Sequence, residues 1–167
     1  YSGKLRRASK EPFRYACPQP AVQDSTTRGD WPGQYGSKGY VFCHYEPDGS
    51  HRIRLPEFTD SIRFAKTGGL HIATRTDDRR APVSEDGSGT RNAGTVVTLD
   101  PAPCNQTMTV DIRNKHDGPY RLALYFVDWE KTGRRSAVEV FDLDDKRLLM
   151  PVQIVRDYRE GRYVVLS

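Results

Sequence analysis

Three aromatic residues separated by glycines form the segment of this chain best suited to binding. Residues 29–40 read GDWPGQYGSKGY and contain Trp31, Tyr35 and Tyr40. Glycine lets a loop display rings, and aromatic faces stack on the C–H faces of sugar rings. The alternative is that the rings pack over the end of a sheet, because most tryptophan side chains are largely buried. The segment predicts either a sugar-binding surface or part of a core.

Charged residues of a long polar segment could add hydrogen bonds to such a surface. Asp78 and Arg80 lie within residues 75–92, which we predict to be one loop, and Arg91 lies near its end. A guanidinium fork held rigid by a carboxylate suits the uronic acid or sulfate groups of a glycan. The same charges could instead form ion pairs that fix the loop, since surface ion pairs are common.

A third candidate cluster follows the apolar segment 122–127. Asp128 and Trp129 come where this segment ends, and Arg134 lies five residues beyond Trp129. Trp129 could be a stacking platform and Asp128 an acceptor for sugar hydroxyls. Equally, Asp128 could cap a turn while Trp129 fills the core.

The sequence carries no familiar catalytic motif. It has no Gly-x-Ser-x-Gly, no His-Glu-x-x-His and no phosphate-binding loop, so we expect a domain that is not itself an enzyme. A glycosidase needs two carboxylates across a cleft, and Asp78 with Asp128 is the pair that stays open. We expect no cofactor except, as an alternative, a structural calcium ion at acidic turn residues. These residues are Asp117, Asp142, Asp144 and Asp145.

The charge distribution and the hydropathy narrow the classes of partner that the chain could bind. The net charge is +4, but the basic residues are dispersed among acids, which disfavours nucleic acid. No apolar run reaches the ~18 residues of a membrane helix, so we expect no membrane insertion.

The three cysteines, Cys17, Cys43 and Cys104, lack the spacing of a zinc site. They predict either one Cys17–Cys43 disulfide or three reduced thiols.

Short alternating apolar patterns predict an all-β fold with little or no helix. Residues 1–40 hold four prolines and five glycines, which predict an irregular N-terminal arm at 1–28 and a loop at the start of one β-sandwich domain at 29–167. Segment 122–127, apolar on both faces, predicts a central strand. Eight to ten short strands indicate an antiparallel sandwich of jelly-roll type. The predicted strands are 40–45, 51–55, 62–66, 70–74, 107–113, 122–127, 138–140, 148–154 and 162–166.

Four motifs together resemble a β-sandwich accessory module of bacterial polysaccharide-degrading enzymes. They are GDWxGxYGxxGY at 29–40, TxDxRA at 76–81, RxA at 91–93, and LYxxDWE at 124–130 with Arg134 following. The resemblance implies a carbohydrate-binding module, extracellular or periplasmic, attached to a glycoside hydrolase or lyase. This chain departs from the pattern at Arg79, where the family has proline, and at Pro82, where it has leucine.

We therefore expect a non-catalytic domain that binds a polysaccharide or oligosaccharide, with the arginines favouring an acidic one. One alternative is a structural or assembly module whose basic arm, residues 1–28, contacts another subunit. A second alternative is a glycan-active enzyme domain.

Overall fold

The computed structural model describes residues 21–98, 107–115 and 120–167, and these residues form an all-β structure, as predicted. Within those ranges no helix is long and apolar enough to cross a membrane. The eleven strands are β1 Val22–Asp24, β2 Tyr40–Phe42, β3 Arg52–Arg54, β4 Thr59–Ala65, β5 Thr67–Ala73, β6 Ala93–Thr98, β7 Thr109–Asn114, β8 Leu122–Phe126, β9 Ser136–Val138, β10 Gln153–Val155 and β11 Arg162–Leu166.

Strand pairing is antiparallel, and three pairs are nested within one another. β1 pairs with β11, β4 with β7, and β5 with β6. β11 also pairs with β8, which gives a three-stranded sheet in the order β1-β11-β8. β2 pairs with β3, and β9 with β10. The two ends of the described chain therefore meet in one sheet, where Val22 lies opposite Val165.

The last strand lies between two hydrophobic clusters. Successive side chains of a strand point to opposite faces. Val164 and Leu166 pack into one cluster with Val155, whereas Tyr163 and Val165 pack into another with Trp31. Four of the five residues of β11 are buried because both of its faces are covered.

Two strand assignments differ from the sequence prediction. β8 is half-buried along its length, but it lies at the edge of its sheet and β11 takes the central position predicted for it. β1 falls inside the segment predicted as an irregular arm. Three residues are too few to show a pattern, and their partner strand lies at the other end of the sequence.

Three loops position the candidate functional residues. The predicted polar loop runs between β5 and β6, and Thr76 N–H donates to the Arg91 carbonyl at 3.0 Å to close it. The second loop, 127–135, joins β8 to β9. The third, 156–161, joins β10 to β11. The Asp128 N–H donates to the Tyr158 carbonyl at 3.0 Å, so the second and third loops are in direct contact.

Candidate functional site

The structure divides the predicted site residues between two regions. The first, which we call the aromatic cluster, contains Trp31, Tyr35, Tyr40 and Tyr163. The second lies where the three loops meet and contains the following residues: Asp78, Arg80, Asp128, Trp129 and Arg134. Arg91 belongs to neither region, because it pairs with Asp30 instead.

Trp31 is buried, which corrects the expectation that its ring is displayed. The side chain is 4% exposed, and its Nε1–H donates to the Val83 carbonyl at 2.7 Å. The rings of Tyr40 and Phe42 lie 5.2 and 5.1 Å from it, centroid to centroid. An indole whose faces and N–H are already engaged by the protein is not available to stack on a sugar.

Tyr35 and Tyr40 are half-buried and also have protein partners. Tyr35 stacks on Tyr163 at 4.2 Å and donates its hydroxyl to Asp24 at 2.9 Å. Burial and the Asp24 carboxylate raise the pKa of Tyr35 to about 12. The Arg54 guanidinium lies 5.0 Å from the centre of the Tyr40 ring. The aromatic cluster is thus held by contacts within the protein.

Arg91 fixes the long loop through Asp30, whereas the structural alternative named Asp78 as the partner of Arg80 or Arg91. Its guanidinium pairs with Asp30 and donates to the Ala81 carbonyl at 2.9 Å. Hydrogen bonds from Arg91 and Arg79 lower the pKa of Asp30. Gly29 must be glycine, because a Cβ there would lie 2.0 Å from the Ala81 carbonyl oxygen.

Arg80 joins the three loops at the second region. Its Nε and Nη2 donate to Asp78 at 3.0 and 2.6 Å, and its Nη1 donates to the Arg159 carbonyl at 3.1 Å. The guanidinium also lies 4.7 Å from the centre of the half-buried Trp129 ring. Because only 13% of the Arg80 side chain is exposed, its first role is to hold the loops and to fix the tryptophan.

Asp128 is a turn cap and not a ligand acceptor. It is 1% exposed, and its carboxylate accepts hydrogen bonds from the Gly133 N–H at 2.7 Å and the Arg134 N–H at 3.2 Å. Burial acts to raise the pKa of Asp128, but these hydrogen bonds outweigh it and hold the pKa below its usual range. Arg134 is half exposed and pairs with Glu130 at 2.9 Å.

The second and third loops enclose a cavity of about 240 Å³ that we call the arginine groove. Residues 133–135 and 156–159 line it. Gly133 has φ 83°, in the left-handed region that favours glycine, and a Cβ there would lie 3.2 Å from Nη2 at the end of the Arg159 side chain. Of its four arginines only Arg134 was among the predicted site residues.

Three arginines of the groove have no ion-pair partner among the described residues. Arg135, Arg156 and Arg159 are exposed, and none of them forms an ion pair with a described carboxylate. Asp157 also lines the groove, in a left-handed conformation with φ 54°. Guanidinium groups of this kind can form paired hydrogen bonds with carboxylate or sulfate oxygens.

Neither candidate catalytic carboxyl has the properties of a proton donor. The hydrogen bond from Arg80 lowers the pKa of Asp78, and the pKa of Asp128 is also low. A glycosidase general acid needs a raised pKa and access to the substrate. The buried Asp128 has neither property.

The candidate calcium ligands lie partly in a turn. Asp142 accepts hydrogen bonds from the N–H groups of Asp144 and Asp145, at 2.9 and 3.3 Å, which explains this acidic segment without an ion. Asp117 lies outside the described residues. Within the described ranges no group of three or more His, Cys, Asp or Glu side chains could hold a metal ion.

The predicted Cys17–Cys43 disulfide involves Cys17, which lies outside the described residues. Cys104 also lies outside them. Cys43 itself is half-buried. Burial raises the pKa of the Cys43 thiol to about 11, which disfavours a reactive thiolate at neutral pH.

Comparisons of the chain with protein-family models, curated proteins and solved structures found no match. Its function has to be argued from the chemistry of its own residues.

Proposed function

We propose that this chain is a non-catalytic domain that binds acidic polysaccharide in the arginine groove. The observation that carries the proposal is the set of three exposed arginines, Arg135, Arg156 and Arg159, around one cavity and without described ion-pair partners. Bringing like charges together costs free energy, which a polyanion bound between them offsets. Arginine is suited to this role because its fork matches the two oxygens of a carboxylate.

Trp129 is linked to the groove residue Arg159 through Arg80. The Arg80 guanidinium lies over the Trp129 ring, and the same guanidinium donates to the Arg159 carbonyl. A half-buried ring beside exposed arginines offers an apolar surface for the C–H face of a sugar while the arginines take its acidic group. Because the Asp78–Arg80 pair is bidentate, the platform is rigid before the ligand arrives.

The sequence motifs support the same proposal. Their resemblance to an accessory module of polysaccharide-degrading enzymes favours a polysaccharide or oligosaccharide ligand, an attached catalytic domain and an extracellular or periplasmic location. We also propose the finer fold assignment, a jelly-roll sandwich. The nesting of the β1–β11, β4–β7 and β5–β6 pairs supports it, since a jelly roll is wound from nested antiparallel pairs.

The first test is calorimetric titration of polygalacturonate into the wild type and into the triple variant R135A/R156A/R159A. We expect the triple variant to lose at least about tenfold in affinity, because it removes the unpaired guanidinium groups. A charge-matched control, R63A/R113A/K115A, changes three exposed cations of the β4–β7 region and should keep the affinity within about twofold. Equal losses in both triple variants would show only a general charge effect and would contradict the site.

A second candidate function, an assembly module, is favoured by exposed apolar side chains around β9 and β10. Phe141 and Leu148 are 49% and 45% exposed and lie opposite one another in a β-bridge, and Ile154 in β10 is 47% exposed. Contiguous apolar surface of this kind marks interaction sites. Sedimentation velocity at increasing concentration tests it. Self-association that F141S/L148S abolishes and the control L70S keeps would support this function, and a monomer at all concentrations would contradict it.

A further inference from the structure

A second cavity, of about 350 Å³, opens beside β1. Ser25, Thr26, Arg28 and Arg79 line it, and we call it the β1 cavity. Two guanidinium groups and two hydroxyl groups suit an acidic sugar, since the cations bind its charged oxygens and the hydroxyl oxygens accept hydrogen bonds from its hydroxyls. The Thr26 hydroxyl donates to Asp24 at 2.8 Å and keeps its acceptor capacity for a ligand. Neither arginine was identified from the sequence as a site residue.

Each arginine of the β1 cavity shares its carboxylate with another cation. Arg79 lies 2.8 Å from Asp30, which also pairs with Arg91. Arg28 lies 3.9 Å from Glu160, whose other oxygen is 2.7 Å from Lys131 Nζ. One carboxylate neutralises one cation, so each trio keeps a net positive charge. The Arg79 side chain is 73% exposed and can turn toward a ligand.

The β1 cavity and the arginine groove are connected through adjacent residues. Arg28 contacts Glu160, which follows the groove residue Arg159 directly in the chain. Arg79 precedes Arg80, whose Nη1 donates to the Arg159 carbonyl at 3.1 Å. Because consecutive Cα atoms are only about 3.8 Å apart, these two connections place both cavities near residues 159–160.

We propose that the β1 cavity and the arginine groove are two subsites for one polyanionic sugar chain. The domain then recognises an internal run of acidic sugar units and not a single unit or a chain end. This inference rests on the proposed function and names the form of its ligand. Once part of the sugar chain occupies the first subsite, the rest of the chain is held at a raised effective concentration near the second subsite. The second subsite therefore increases affinity only for ligands long enough to reach both.

Galacturonate oligomers of one to roughly eight units, titrated by calorimetry, test the proposal. For the wild type we expect affinity to rise once an oligomer is long enough to reach both subsites. The double variant R28A/R79A should lose about tenfold for the longest oligomer and less than twofold for the shortest oligomer that binds. The control R63A/R113A removes two exposed arginines elsewhere and should retain the wild-type dependence on length.

A second variant, R28Q/R79Q, removes both charges but keeps polar side chains that can still form hydrogen bonds, and it guards against a loss of folding. The thermal midpoint of each variant is measured alongside. Loss of the long-oligomer advantage in both double variants would support two subsites. A wild-type affinity independent of length, or double variants that match the wild type, would overturn the second subsite and leave the proposed function intact. Absence of binding by oligomers and polymer alike would overturn the proposed function itself.

Discussion

The aromatic cluster and the arginine groove differ in whether their polar groups have partners within the described protein. In the aromatic cluster the Trp31 N–H and the Tyr35 hydroxyl have partners within the protein. In the groove Arg135, Arg156 and Arg159 lack a described ion-pair partner. A buried polar group has to be satisfied during folding, whereas exposed charges held together are available to a ligand. The first region therefore stabilises the fold, and the second is the region that we propose for binding.

Replacement of Trp31 by alanine should reduce the stability of the aromatic cluster more than any other substitution considered below. It removes a buried ring and leaves the Val83 carbonyl without its donor, so we expect a loss of about 3–5 kcal/mol in the free energy of unfolding. Urea denaturation measures it, with W31F as the conservative control that keeps most of the ring volume. A stability loss below about 1 kcal/mol in W31A would mean that the ring is not part of a core.

The Asp128→Ala substitution tests whether the second region also contains structural residues. It leaves the N–H groups of Gly133 and Arg134 without their acceptor, and we expect a loss of about 2–3 kcal/mol. D128N keeps one acceptor oxygen and should lose about half as much. Urea denaturation of both variants, with polygalacturonate titration under folding conditions, separates the two roles. Unchanged stability with lost binding would make Asp128 a ligand-binding residue and contradict its role as a cap.

Arg80 connects the structural and binding roles, and Arg80→Lys sharpens the distinction. A lysine cannot pair bidentately with Asp78 and also reach the Arg159 carbonyl, so we expect a loss of about 1–2 kcal/mol of stability. Weaker polygalacturonate binding should accompany it, because Trp129 is released. The matched control is R63K, at an exposed arginine of β4 outside both cavities, and it should leave polygalacturonate binding unchanged and stability within about 0.5 kcal/mol of the wild type.

Acid should weaken the aromatic cluster through Asp24. Burial acts to raise the pKa of this carboxyl, but hydrogen bonds from Thr27 and Thr26 outweigh it and hold the pKa far below its ordinary value. The carboxylate therefore stabilises the fold above about pH 4, and this contribution is lost as the pH falls below that value. Urea unfolding from about pH 6 down to about pH 2 measures the loss. D24N should be less stable at neutral pH and should show a shallower decline, and a decline as steep as that of the wild type would contradict this assignment.

The sequence was informative where apolar residues follow one another in a short segment. β11 was predicted at its observed bounds, because residues 163–166 are four consecutive apolar residues with aromatic and β-branched side chains among them. β6 was missed, since Val96 and Val97 are its only large apolar residues. Glycine spacing around Trp31 is the same for a displayed ring and a buried one, and only the position of the Val83 carbonyl decides between them.

The arginine groove could not be predicted from local patterns. Arg135 lies in the β8–β9 loop, whereas Arg156 and Arg159 lie in the β10–β11 loop, and tertiary contacts alone bring them together. The available signal was weak and consisted of arginines on both sides of a short turn before the last strand. Arg80 and Trp129 were predicted as separate clusters, and the structure brings them together.

Calorimetric titration of the wild type with polygalacturonate and with its fully methyl-esterified form tests directly whether the domain binds acidic polysaccharide through charge. The two polymers share one sugar backbone and differ in the charge of the carboxyl groups. We expect the acid form to bind with an affinity that falls as salt is added, and the ester to bind at least about tenfold more weakly. A parallel titration with a sulfated polysaccharide distinguishes recognition of carboxylate from recognition of sulfate. Equal affinity for the acid and the ester, or failure of every acidic polymer to bind, would rule out the arginine groove as a site for acidic polysaccharide.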